Sequence, residues 1–157
     1  MTRLGSKRNR KMTSKNNRSH AREYASLFLY HSFFQEKNQL PQTESQLDDT
    51  LSYFNDSLPN LSGHLLQFAK ELLLNCSDHY ELIQEEIEKH LINWKYSRVN
   101  KVDLTLLFLA ITEIKFQTPA TPLAVVINEY VELAKKYGNQ ESPKFINGVL
   151  DRIGKQL

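Results

Sequence analysis

A helix that is apolar on nearly every side cannot face water, and residues 19–35, SHAREYASLFLYHSFFQ, make such a helix. Tyr24, Ala25, Leu27, Phe28, Leu29, Tyr30, Phe33 and Phe34 fall nearly all round the axis at about 100° per residue. The segment is therefore expected to be a buried central helix enclosed by others. KVDLTLLFLAITEIKF, Lys101 to Phe116, is the most apolar stretch of the chain and predicts a further core helix.

The punctuation between these runs predicts the remaining elements. After Pro41, Thr43 or Ser45 starts a second, weaker helix that ends before Asn55 to Pro59. Ser62 to Asn75 reads as a third, with Leu65, Leu66, Phe68, Ala69, Leu72 and Leu73 as its stripe. In SDHYELIQEEIEKHL, Asp78 and Glu81 have the spacing of a capping box, and Glu81, Glu85, Glu86 and Glu88 make a solvated outer face. Thr121-Pro122 is an N-cap followed by proline, and Gly138 is a stop. Between them Leu123, Val126, Ile127, Tyr130, Ala134 and Tyr137 recur at steps of three and four, one buried helical face. Ser142-Pro143 repeats the cap-and-proline device for a last helix that buries Ile146, Val149, Leu150 and Ile153, with Leu157 continuing the stripe. The expected fold is all-α, about seven helices with no strand and no internal repeat.

Charge divides the chain. Residues 1–22 hold eight Lys and Arg and no acid, leaving twelve basic against eighteen acidic side chains in the rest. The first part is too polar to bury a core, so residues 1–17 are expected to form a basic, disordered arm ahead of one domain over residues 18–157. Such arms neutralise phosphates and release counterions. A solubilising tail is the plainer account.

Catalytic chemistry is thin. Cys76 is the only cysteine, so no disulfide forms within the chain, and no segment has the apolar core of a signal peptide. The longest apolar run, residues 104–111, is far short of the roughly 20 residues that cross a bilayer. The expected setting is a reducing cytoplasm. The five histidines are scattered, and Cys76 with His79 is only half a metal site. There is no glycine-rich phosphate loop and no nucleophile motif. The paired carboxylates Asp48-Asp49 and Glu85-Glu86 lie in surface-helix contexts. No enzyme, cofactor or metal is expected.

The closing stretch ESPKFINGVLDRI raises a different question, because Gly148 is a poor helix former inside a capped amphipathic helix, at a cost of about 1 kcal/mol relative to alanine. In projection Gly148 lies off the apolar stripe, flanked one turn away by Lys144 and Arg152, with Phe145 on the stripe's shoulder. Bare backbone between cations and beside an aromatic ring suits a phosphate chain with a stacked base. Alternatively Gly148 admits a neighbouring helix and Phe145 is an edge-of-core residue.

Three stretches resemble one family. INEYVELAKKYGNQESPKFINGVLDRI, Ile127 to Ile153, is similar to the C-terminal signature of the transcription antitermination factor NusB. HAREYASLFLY and NWKYSRVNKVDLTLLFLAITEI resemble that family's opening and central helices, in the same order. The resemblance implies two small packed helical bundles, no enzymatic activity, and binding of boxA-type single-stranded RNA together with the ribosomal protein NusE. It further implies assembly into the RNA polymerase antitermination complex on ribosomal RNA operons. Monomer and homodimer are both open for the free chain. The family's arginine-rich start of the first helix maps onto Arg18, Ser19, His20 and Arg22, with Ser19 and His20 where a cation is common. Its Lys-Phe pair, which belongs to the RNA surface, matches Lys144 and Phe145. Tyr30 and Asp103 match positions used towards the ribosomal partner, and Phe108 stands where arginine is frequent. A helical adaptor in ribosomal RNA maturation, or one that binds only protein, are the other readings.

Overall fold

Every residue from Thr105 to Glu113 is buried, so the helix that carries them must be walled in on all sides. The structure, a computed structural model, describes residues 13–33, 40–54, 56–61 and 63–157, and the side chains from Arg18 onward. Among the described residues seven α-helices run in order: α1 (Thr13–Phe33), α2 (Glu44–Phe54), α3 (Gly63–Asp78), α4 (Tyr80–His90), α5 (Lys101–Lys115), α6 (Leu123–Tyr137) and α7 (Ser142–Gly154). A 3-10 turn, Tyr96–Arg98, precedes α5, and no strand occurs among the described residues. α1 and α2 pack on α3 and on each other as one bundle, with Phe28 of α1 meeting Phe54 of α2 edge-on at 5.8 Å. α4 to α7 form the second, and α5 joins the two by packing against both α1 and α3.

The helix starts correct several sequence expectations. Thr43 does cap α2, its hydroxyl accepting from the Gln46 amide at 3.2 Å. The Asp78–Glu81 box does not form, because α3 continues to Asp78 and α4 restarts at Tyr80 with no side-chain cap. Pro122, not Thr121, occupies the cap of α6. Ser142 is fully buried inside α7, and Asn139 caps in its place, its Oδ1 accepting from the amides of Glu141 at 2.9 Å and Ser142 at 3.0 Å. A side chain two and three residues upstream reaches these amides, as an N-cap side chain does. Leu157, expected on the buried stripe of this helix, lies past the end of α7 and is 69% exposed.

α1 is also not enclosed all round. Tyr24, Ala25, Phe28 and Leu29 are buried, whereas Leu27, Tyr30 and Phe33 are only partly so, and Phe34 lies outside the described residues. α5 fills the axial position instead, leaving Leu27 and Tyr30 along an apolar groove of about 240 Å³ with Val102, Leu106 and Tyr137. The helical backbone of α1 begins at Thr13, within the stretch expected to be arm, and residues 1–12 lie outside the described residues. Phe108 is fully buried against the rings of Phe33 and Tyr80 at 5.3 and 4.8 Å, a place in the core where a cation would be costly.

Candidate nucleic-acid interface

The chain leaves α4 through a tight reversal. Leu91 is extended and Asn93 takes a left-handed φ of 62°, a conformation that asparagine tolerates better than most residues. The turn leaves Ile92 and Trp94 each 57% exposed. The following loop closes onto α5 by a reciprocal pair: the Asp103 amide donates to Asn100 Oδ1 at 2.8 Å, and Asn100 Nδ2 donates to Asp103 Oδ2 at 2.9 Å. Asp103 is 5% exposed, and burial lifts its carboxyl above the ordinary range, against polar contacts from Ser142 and Asn100. Its Oδ1 has no hydrogen bond of acceptable geometry.

Opposite this loop stands the first half of α7, fixed by the burial of Ile146, Val149, Leu150 and Ile153. Each such side chain contributes up to about 1.5–3 kcal/mol. Between loop and helix lies a cleft of about 630 Å³. One wall carries Ile92, Trp94, Arg98 and Asp103, the other Glu141, Lys144, Phe145, Gly148 and Arg152. Phe145 is half-buried and meets Trp94 edge-on, with ring centroids 6.4 Å apart. The Arg152 guanidinium donates to the His90 carbonyl through Nε at 3.1 Å and Nη2 at 2.9 Å, tying α7 to the end of α4. Lys144 and Arg98 are exposed, and neither has a carboxylate partner among the described residues.

Gly148 is therefore not a helix contact. A Cβ there would meet only Arg152 Nη1, at 3.4 Å, the end of a flexible side chain. Gly138 is the contrasting case, since a Cβ would lie 2.4 Å from Ser142 Cβ and 2.8 Å from the Ala134 carbonyl, where neither neighbour has room to move. Gly148→Ala is expected to raise folding stability by up to about 1 kcal/mol, whereas Gly138→Ala lowers it by about 1–3 kcal/mol. Urea denaturation of the two variants checks this, and a destabilised Gly148→Ala would restore the helix-contact reading.

The other sequence-derived residues fall elsewhere. Arg18 is exposed beside Gln117, Thr118 and Pro119, past the C-terminal end of α5, with its guanidinium carbon 5.3 Å from the Phe68 ring centre. Lys144 and Phe145 adjoin Asn100 and Asp103 at the other end of α5, a helix of 15 residues, about 22 Å at 1.5 Å per residue. Arg18 and the cleft are thus separate cationic places. His20 is exposed and lies close enough to favour the Glu23 carboxylate, which Lys136 and Tyr137 also hold. Arg22 is 2% exposed: its Nε donates to both Glu113 oxygens at 2.9 and 3.1 Å, and Nη2 to Oε1 at 2.5 Å. Engaged in that pair and buried, it offers no free guanidinium to a phosphate in this arrangement. Tyr30 lies on the apolar groove with Val102 and Thr105, next to the α5 turn that carries Asp103.

Nor does the half-site at Cys76 gain ligands. Burial pushes the Cys76 thiol up to about 12, and His79 stacks on Phe116 with centroids 3.9 Å apart. No cluster of three metal-ligating side chains occurs among the described residues, and none of their helices is long and apolar enough to cross a membrane. Sequence reasoning missed Trp94 and Arg98 as cleft residues. The available signal was the sole tryptophan of the chain standing in the otherwise polar segment NWKYSR.

Comparison with known proteins bears on this architecture. A transcription antitermination protein NusB of Anaeromyxobacter dehalogenans is 37% identical over 146 residues, covering 93% of this chain and 94% of its own. One from Thermodesulfovibrio yellowstonii is 34% identical, covering 88% and 92%. Among solved structures, T. maritima NusB superposes with a TM-score of 0.71 at 27% identity, over 88% of this chain and 91% of that one. A crystal structure of the antitermination factors NusB and NusE in complex with dsRNA gives 0.70 at 28% identity, over 90% and 98%. The family model for NusB matches residues 19–155, from within α1 to just past the end of α7, and with it the central α5 and the cleft beside α7: the chain belongs to the NusB family.

Proposed function

We propose that this chain is an RNA-binding antitermination factor that takes boxA-type RNA on its α7 cleft in company with the ribosomal protein NusE, within the RNA polymerase complex on ribosomal RNA operons. The observation that carries the reading is the pairing of an exposed Lys144, without a carboxylate partner among the described residues, with a half-buried Phe145 over the open backbone of Gly148. Unpaired cations attract phosphate, and an aromatic ring lining the cleft offers a base a stacking partner. Membership of the NusB family supports the same reading, as does the related complex of NusB and NusE with dsRNA. The groove at Tyr30 and the neighbouring Asp103 turn are the proposed NusE face, being apolar and adjacent to the cleft without filling it. Arg18 and His20 are proposed as a second phosphate contact, reached by RNA that continues along the molecule from the cleft.

The test is titration of labelled single-stranded boxA RNA, a scrambled strand and a duplex, each with and without NusE. Binding that prefers boxA and tightens with NusE supports the proposal. Absence of binding to all three RNAs in both conditions contradicts it. The arm has its own test. Deleting residues 1–12 removes Arg3, Lys7, Arg8, Arg10 and Lys11 while leaving all of α1 in place. If these cations meet phosphates, affinity falls and the slope of log K against log salt flattens by up to about 0.7 for each phosphate left unneutralised. An unchanged slope would make the arm a passenger.

A further inference from the structure

We propose, building on the RNA-binding reading above, that the cleft is a single-nucleotide subsite: one base, turned out of the strand, stacks on Trp94 beside Phe145, and Arg98 takes the adjoining phosphate. Four observations converge on it. Trp94 is large, apolar and 57% exposed, in a loop turned outward by the left-handed Asn93. Its ring is not collapsed onto the core but meets Phe145 in a T-shaped contact at 6.4 Å and keeps most of its surface open to other partners. Arg98 ends the 3-10 turn Tyr96–Arg98, exposed and without an acidic partner among the described residues. The cleft volume of about 630 Å³ is ample for one nucleotide, within the usual range for small-ligand sites.

The chemistry selects a base over a plain anion. The cations Arg98, Lys144 and Arg152 share the cleft with two carboxylates, the exposed Glu141 and the buried Asp103. A free phosphate would meet both signs of charge. A nucleotide resolves the conflict, with its phosphate at the exposed guanidinium, its flat ring on the indole, and an amino or imino edge towards the exposed Glu141 carboxylate. Single-stranded RNA suits the site, since a base inside a duplex cannot be presented to a side-chain face in this way.

Because Trp94 is the only tryptophan, its emission reports on this subsite alone. Titrating the full chain, with a NusE preparation free of tryptophan or with its signal subtracted, should quench indole emission in step with binding of labelled boxA RNA. Trp94→Ala should weaken RNA binding roughly five- to 150-fold, the stacking contribution of one base, and Trp94→Phe should recover most of it. Arg98→Gln should flatten the salt slope by about 0.7. Melting temperatures should stay close to that of the wild type, since both side chains are exposed. If the wild type binds RNA with unchanged emission and Trp94→Ala binds equally well, the subsite is wrong while the RNA-binding reading stands. If Trp94→Ala loses NusE and keeps RNA, the exposed indole is a protein contact and the subsite is again wrong. If the wild type binds no RNA with or without NusE, the broader reading fails first.

Discussion

Arg22→Met is expected to lower folding stability by about 3–5 kcal/mol, because it leaves a buried carboxylate without its counter-ion. Glu113 is fully buried at the last full turn of α5, and Arg22 is 2% exposed on α1. Three hydrogen bonds join them, Tyr130 of α6 adds a fourth from its hydroxyl at 3.1 Å, and Glu129 stands 3.6 Å from Nη1. The pair thus pins three helices at one point in the core. Burial opposes the charge on Arg22, but the Glu113 hydrogen bonds and charge more than offset it and hold the guanidinium's pKa above its ordinary value. Combining Arg22→Met with Glu113→Gln, which keeps an acceptor for Tyr130, should recover most of the loss, since removing both charges removes the desolvation penalty too. Equilibrium urea denaturation of the single and double variants measures both. A single-variant loss below about 1 kcal/mol, the range of exposed pairs, would mean that water reaches this site. The prediction also separates two meanings of the arginine: Arg22→Met should impair RNA binding only to the extent that it unfolds the chain.

Phe145→Ala is expected to weaken RNA binding by about 1–3 kcal/mol, the value of a base stacked on an aromatic ring. Phe145 is partly buried against the core and meets Trp94 in a T-shaped contact. Its removal should therefore cost less stability than the roughly 3–5 kcal/mol of a fully enclosed phenylalanine. Parallel titration and denaturation give both numbers for one variant. Full loss of stability with unaltered RNA affinity, measured where the variant is still folded, would reduce Phe145 to a packing residue. A smaller companion effect follows from Glu141, which is exposed on the same cleft wall. Glu141→Gln removes a negative charge near the proposed phosphate path, so binding should tighten, most at low salt where screening is weakest.

How much of the fold and the cleft is legible in the amino-acid sequence follows from the kind of signal each feature gives. α5 is readable because its run is apolar almost throughout, and α6 because its apolar residues recur at steps of three and four between a proline and a glycine; both appear where the pattern places them. Which residue caps a helix is less readable. Ser142 has the right chemistry in the right place, yet tertiary packing buries it and hands the amides to Asn139. Burial of Arg22 is invisible for a similar reason, since its partner Glu113 lies 91 residues away and a charge in a sequence gives no sign of being paired. At the cleft, the α7 half is legible from helical projection, which puts Lys144, Gly148 and Arg152 on one strip. The loop half is not, because Trp94 and Arg98 belong to a segment with no periodicity, and only the left-handed turn at Asn93 and the closure of Asn100 on Asp103 set them opposite α7.

The most direct test of the α7 assignment is amide and indole chemical-shift mapping of isotopically labelled chain as boxA RNA is added in the presence of NusE. The assignment predicts that the shifts caused by RNA, beyond those caused by NusE alone, centre on the Trp94 indole, Arg98 and the residues from Asn139 to Arg152, with a second group near Arg18 and His20. RNA-induced shifts confined to α2, α3 and the acidic outer face of α4, with the α7 amides and the Trp94 indole unmoved, would contradict it.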